Sequence, residues 1–184
     1  MKKILAIAAI TMIAACNSNK DEGVVKSMHT GTDSASQANV TYPYDISYSS
    51  KFEMADPKYG QTILQLWKDW DNGDLSAHKD MFADSMEMHF SDGSMMHSLR
   101  DSVMAAGQNE RNRFSSTVSS VNAVTSLRST DKNENWALVW GKEVDTDKNG
   151  KVDSFYLQET WRFNKDGKID LLYQFKAAAM PPGK

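Results

Sequence analysis

The chain has 184 residues with one cysteine, Cys16, and only four prolines. A lone thiol excludes an internal disulfide, so the fold must be held by its core. Basic charge is not in surplus: the formal net charge is −3, and removing Lys2 and Lys3 with the leader described below takes it to −5. With no basic stripe, nucleic acid is not an expected partner. The sequence contains no Gly-rich phosphate loop, no paired metal motif and no nucleophile elbow, and Ser, Cys and His form no recognisable triad. Nucleotide chemistry, a resident cofactor, a metal centre and nucleophilic catalysis therefore lack a warrant. The apolar run from Ile4 to Ala15 is too short to span a bilayer as a helix.

That short run carries the clearest signal in the chain. Lys2 and Lys3 precede it, small residues close it, and the pattern is that of an export leader over residues 1–15. Ile13-Ala14-Ala15-Cys16 resembles a bacterial lipobox, which implies lipidation of Cys16 as the new N-terminus. Each buried acyl CH₂ contributes about 0.8 kcal/mol, so several chains on one cysteine hold a protein at a membrane. Residues 16–39, dominated by Ser, Asn, Thr, Gly and Asp, read as a flexible tether. Within it, Lys20-Asp21-Glu22 is either a charged surface-export signal or ordinary linker charge. Asn17 offers no inner-membrane retention aspartate, so the outer membrane is expected, with the leaflet open.

Residues 40–56 bring Tyr42, Tyr44, Tyr48 and Phe52 and read as an extended arm. The domain proper is expected over residues 57–178. Tyr59, Ile63, Leu66, Trp67 and Trp70 recur at helical spacing between Pro57 and the stop Asn72-Gly73. A second short helix is predicted from an Asp74 N-cap to Phe82, a strand over Met86 to Phe90, and a third helix from about Ser98 to Arg113. Four strands follow, at about 116–126, 136–144, 154–163 and 168–175, with polar turns between them. Helices followed by an antiparallel meander is an α+β plan.

This order, with Gly73-Asp74-Leu75, Phe82-Ala83-Asp84 and the tail Trp161-Arg162-Phe163-Asn164-Lys165-Asp166-Gly167-Lys168-Ile169, resembles the SnoaL-like branch of the nuclear transport factor 2 (NTF2) superfamily. The resemblance runs from about Tyr59 to Lys176. It implies a cone: a curved antiparallel sheet wrapped on the N-terminal helices. Members include ketosteroid isomerases, epoxide hydrolases, polyketide cyclases and non-catalytic modules, so the fold alone does not assign a function.

Residue by residue, the resemblance implies that Leu66 stands where isomerases carry a catalytic tyrosine. Phe90, with His89 beside it, stands at the general base, and the register leaves either in place. Glu159 stands at a carboxylic acid kept neutral as a donor, and Gln174 at the acid of the last strand in hydrolases and cyclases. Strand alternation places Leu157, Glu159 and Trp161 on one face beside Leu172, Gln174 and Lys176, closed by Ile63, Leu66 and Trp70. With Phe90, these residues are the expected lining of a small, mostly apolar site, unless they simply fill the cone as core. Glu159 is the candidate acid, and the alternative is a pairing with Arg162, Lys142 or Lys176 at a rim or interface. Because Leu66, Phe90 and Gln174 replace acid/base groups, ligand binding is expected ahead of catalysis. The other readings are an acid/base enzyme using Glu159 and an interaction module, with a homodimer expected by resemblance.

Two further patterns point elsewhere. Asp145 to Asp153 follows the first part of an EF-hand loop, but Tyr156 replaces the bidentate Glu, so a tight acidic turn is the expectation. Met86, Met88, His89, Met95, Met96 and His97 offer soft ligands for Cu(I), which strand alternation would split between two faces.

Overall fold

Ile63, Leu66, Trp67 and Trp70 lie three or four residues apart, the repeat that puts side chains on one helical face, and Lys58–Asn72 form that helix, α1. The computed structural model describes residues 41–179, so the leader, Cys16 and the tether lie outside the described residues. Asp56 accepts the free Lys58 N–H at 2.9 Å, satisfying one of the orphan donors of the first turn. The helix stops at Gly73, whose φ of 81° suits glycine and whose N–H donates to the carbonyls of Asp69 and Trp70.

Seven strands form one sheet: β1 Phe52–Met54, β2 Phe82–His89, β3 Met95–Leu99, β4 Phe114–Ser129, β5 Glu134–Asp147, β6 Val152–Phe163 and β7 Ile169–Ala178. Their order is β1-β4-β5-β6-β7-β2-β3. All neighbours are antiparallel except β2 and β7, which run parallel, so the sheet is mixed. The arm joins it directly. β1 pairs with the end of β4, and Tyr48 sets its ring edge-on to Trp136 at 6.1 Å.

Helix α1 lies on the concave face, buried along Gly60, Ile63 and Trp67. The Gly60 N–H donates to Ser126 Oγ of β4 at 3.0 Å, which fixes the helix against the sheet. The core gathers Ile63 and Trp67 with Val139, Leu157, Trp161, Phe163 and Leu172. Helix α2, Arg100–Arg111, follows β3. Its last residue, Arg111, is buried and donates to the carbonyls of Trp70 at 2.5 Å, Asp71 at 3.0 Å and Phe114 at 3.2 Å. That guanidinium satisfies the free carbonyls at the end of α1 and suits the negative end of the helix dipole.

Two expectations change, and the acidic run folds as the tight turn expected of it. Asp74 does not cap a helix: it accepts the Ser76 N–H and hydroxyl in a turn, and only a single 3-10 turn, Lys79–Met81, follows. His78 in that segment has a partner, buried Asp69, at 2.7 Å, which ties the segment to α1. The third helix begins later than Ser98, because Met95–Leu99 pairs with β2 as a strand. The acidic run after Asp145 is the β5–β6 hairpin turn, closed by the Lys151 carbonyl accepting from the Asp147 N–H.

Gly141 sits on β5 where α1 comes closest. A Cβ there would fall 2.5 Å from the Ser120 carbonyl and 2.6 Å from the Trp67 ring. Overpacking of this kind costs about 1–3 kcal/mol. Gly141→Ala is therefore expected to lower the unfolding free energy by at least that much in urea denaturation.

Candidate functional site on the concave face

Antiparallel register arranges the concave face in rows. Ala137, Trp161 and Leu172 share one row, followed by Val139, Glu159 and Gln174, then Gly141, Leu157 and Lys176, then Glu143, Phe155 and Ala178. Glu159 is the polar centre of the deep part, only 4% exposed. Trp67 of α1 donates its indole N–H to Oε2 at 2.6 Å, and Trp161 donates to the same oxygen at 3.0 Å. Gln174 donates to Oε1 at 2.9 Å. Burial raises the pKa of this carboxyl, and the three N–H donors oppose the rise. Both oxygens face protein donors. Oε2 is held between two indoles, and Oε1 accepts from the Gln174 amide.

Two rows further toward the β5–β6 turn the picture reverses. Alternation along β5 turns Glu143 and Asp145 to the same face as Val139 and Gly141, and β4 sets Ser119 opposite Glu143 and Thr117 opposite Asp145. Glu143, Asp145 and Thr117 are 8%, 3% and 4% exposed. Asp145 Oδ1, Thr117 Oγ1 and Ser119 Oγ are buried with no hydrogen-bond partner in the protein. Each such atom costs about 1–3 kcal/mol of desolvation left uncompensated. Burial pushes Glu143 up to about 8, helped by the charges of Asp145 and Glu159 and opposed by Lys176. Burial also raises Asp145, against the Thr117 hydroxyl beside it, the charge of Lys176, the Glu143 carboxyl and the charge of Arg111. The Lys176 ammonium lies 3.1 Å from the centre of the Phe155 ring.

No protein-family model and no curated protein sequence matches the chain. Solved structures do match in shape. AusH from Aspergillus nidulans aligns at 12% identity with a TM-score of 0.54, over 71% of this chain and 90% of that one. An NTF2-like protein of unknown function from Exiguobacterium aligns at 16% identity and TM-score 0.51, over 63% and 98%. A SnoaL-like protein of unknown function from Burkholderia thailandensis aligns at 14% identity and TM-score 0.51, over 68% and 100%. The fold is NTF2-like. At these identities the likeness concerns the NTF2-like, SnoaL-like fold and not the chemistry carried on it.

Within this NTF2-like domain the residues singled out from the sequence divide into two groups. Ile63, Leu157, Glu159, Trp161 and Leu172 are buried, whereas Leu66, Trp70, Phe90 and Gln174 are half-buried. Glu159, Trp161 and Gln174 come together as one hydrogen-bonded group, joined by Trp67. The pairing of Glu159 with Arg162 does not form, because alternation turns Arg162 to the convex face, where it meets Asp170 at 2.9 Å. The Cα partners of Glu159 are Val139 and Gln174, which leaves Lys142 and Lys176 in other rows. His89 also turns to the convex face and stacks on Tyr173 at 4.8 Å, so of the two it is Phe90, at the β2–β3 turn, that follows the inward parity of Met86 and Met88. Met86, Met88 and Met96 pack inward while His89, Met95 and His97 lie on the other face, so the soft ligands are split between two faces as alternation predicts.

Glu143 falls within the strand expected over 136–144 and Asp145 opens the acidic run expected as a turn, so the sequence reading joins neither to the inward face. The signal was present in the alternation Ala137-Val139-Gly141-Glu143-Asp145, which continues an inward-facing face straight into two acids. Cavities of about 420 Å³, bordered by Thr62, His78 and Lys168, and about 390 Å³, bordered by Tyr59, Arg128 and Lys165, lie away from the concave rows.

The raised carboxyl groups fix a sign for pH dependence. A folded state that holds protons more tightly than the unfolded chain is most favoured below the ordinary carboxylate range and loses that advantage as pH rises. For Glu143 the loss runs from that range up to about 8. The melting temperature is expected to fall from pH 5 to pH 9, and Glu143→Gln to melt above the parent at pH 9 while matching it near pH 5, measured by circular dichroism.

Proposed function

We propose that this protein is a lipid-anchored envelope protein whose SnoaL-like domain binds a small, mostly apolar molecule on its concave face and does not use Glu159 as a catalytic acid. The observation that carries this reading is the saturation of Glu159 by Trp67, Trp161 and Gln174. A general acid must reach the atom it protonates, and this carboxyl is held by three donors inside the packing. Leu66 and Gln174, at positions where enzymes of this fold carry acid/base groups, point the same way.

Anchoring rests on the Ile13-Ala14-Ala15-Cys16 pattern and the polar stretch after it. Outer-membrane placement follows from Asn17 in the second position of the lipidated chain. A second reading draws on the convex face, where Val118, Tyr156 and Phe175 are exposed. There the domain pairs with a second copy and acts as an interaction module.

One experiment addresses both. Native mass spectrometry of the full chain, extracted in detergent from its host membranes, is expected to show a mass raised by acyl chains and a further, non-covalent small-molecule mass on the monomer or dimer. Cys16→Ser should remove the acyl mass and release the protein from the membrane fraction. An unacylated mass would overturn the anchor, and a ligand-free dimer would favour the interaction module.

A further inference from the structure

We propose that Glu143 and Asp145, with the hydroxyls of Thr117 and Ser119, form the polar anchor of the binding site and receive a neutral hydroxyl or carbonyl group of an otherwise apolar small molecule. This rests on the binding function proposed above and names the ligand chemistry and its seat.

The four side chains occupy adjacent positions on one face, Thr117 opposite Asp145 and Ser119 opposite Glu143. Opposed positions in an antiparallel pair hold their Cβ atoms about 4.5–5.5 Å apart, and diagonal positions about 7–8 Å, so one small group can bridge either pair and long side chains of the other reach toward it. Thr117 is an observation separate from the acidic pair. It is 4% exposed, and its hydroxyl, able both to donate and to accept, lies beside Asp145 without forming a well-aligned hydrogen bond to any protein group. Asp145 Oδ1 and Ser119 Oγ are unpartnered in the same place. Buried polar atoms in folded proteins are almost always paired, so three orphans in one cluster call for a polar group from outside the chain. On one side of the cluster Ser119 is half-buried and Lys176 and Ala178 are exposed, which places it at the rim of the concave face.

Charge selects the class of ligand. A cation would meet the guanidinium of Arg111 from α2 and the ammonium of Lys176 from β7, both of which already act on the pair. An anion would meet the carboxyl groups of Glu143, Asp145 and, from β6, Glu159. A neutral group meets neither penalty. It can donate to Asp145 Oδ1 and accept from a Thr117 or Ser119 hydroxyl. Phe155, directly across from Glu143, supplies an apolar wall.

The test uses three probes with one apolar body: cyclohexanol, cyclohexylammonium and cyclohexanecarboxylate. Each is titrated at pH 7 into the full chain, isotope-labelled and held in detergent, and followed by amide NMR shifts. Cyclohexanol is expected to bind at least tenfold more tightly than either charged probe, with the largest shifts at residues 117–119 and 143–145. Thr117→Val, which replaces the hydroxyl by a methyl of the same shape, should weaken it at least fivefold, and Ser119→Ala gives an independent second variant. Preference for cyclohexylammonium or the carboxylate would overturn the proposed chemistry. Binding elsewhere on the concave face, unmoved by both variants, would overturn the anchor while leaving the binding function standing. Failure of all three probes to shift any concave-face resonance would overturn both.

Discussion

A single buried carboxyl organises this domain. Glu159 takes an indole N–H from α1, another from its own strand β6 and an amide N–H from β7, so helix and sheet meet on one side chain. Apolar packing alone does not specify how a helix slides or turns on a sheet, because it has no direction. Hydrogen bonds to a buried charge-bearing group do have direction, and leaving any of them unmade is costly. The position of Trp67, and with it the placement of α1, depends on this group. Gly141 makes the approach possible by leaving room for the Trp67 ring.

That arrangement divides the concave face into a deep end, where every polar contact of Glu159 is satisfied, and an end near the β5–β6 turn, where Asp145, Thr117 and Ser119 keep unpartnered atoms. Proteins tolerate such costs chiefly at sites where something else is recovered. The two ends lie only two register rows apart, yet one is closed by hydrogen bonds and the other is not. Glu159 acts as a structural clamp between α1 and the sheet, and the acids beside unpartnered hydroxyls lie further along the same face.

Much of the fold was legible because alternation and turns agree. The spacing of Ile63, Leu66, Trp67 and Trp70, the Asn72-Gly73 stop, and the glycine turns at Gly150 and Gly167 placed α1 and β4 to β7 within a few residues. Less was legible where local signals compete. Leu99 leads into α2 with no side-chain cap, so nothing at that point distinguishes the end of β3 from the start of a helix. Asp74 carries the same signal in a turn as at an N-cap, since both are bonds from a short acid to a nearby backbone N–H. Glu159 could be found by comparison with related folds, but its chief partner could not. Trp67 lies 92 residues away, and nothing local says where an indole N–H will point. Glu143 and Asp145 were hidden for the opposite reason: an acid near a polar turn looks like solvent-facing charge, and β5 continues past the expected end at 144 through Asp145.

The central claim is that the deep end is a sealed, hydrogen-bonded unit. Hydrogen exchange of the Trp67 and Trp161 indole protons, resolved by NMR on the full chain, tests it most directly. The account predicts that both exchange only on global unfolding, with the same free energy as the slowest amides of β5 and β6. Exchange of either indole proton at the rate of an exposed side chain would contradict it, showing Glu159 to be open to solvent and available to a substrate.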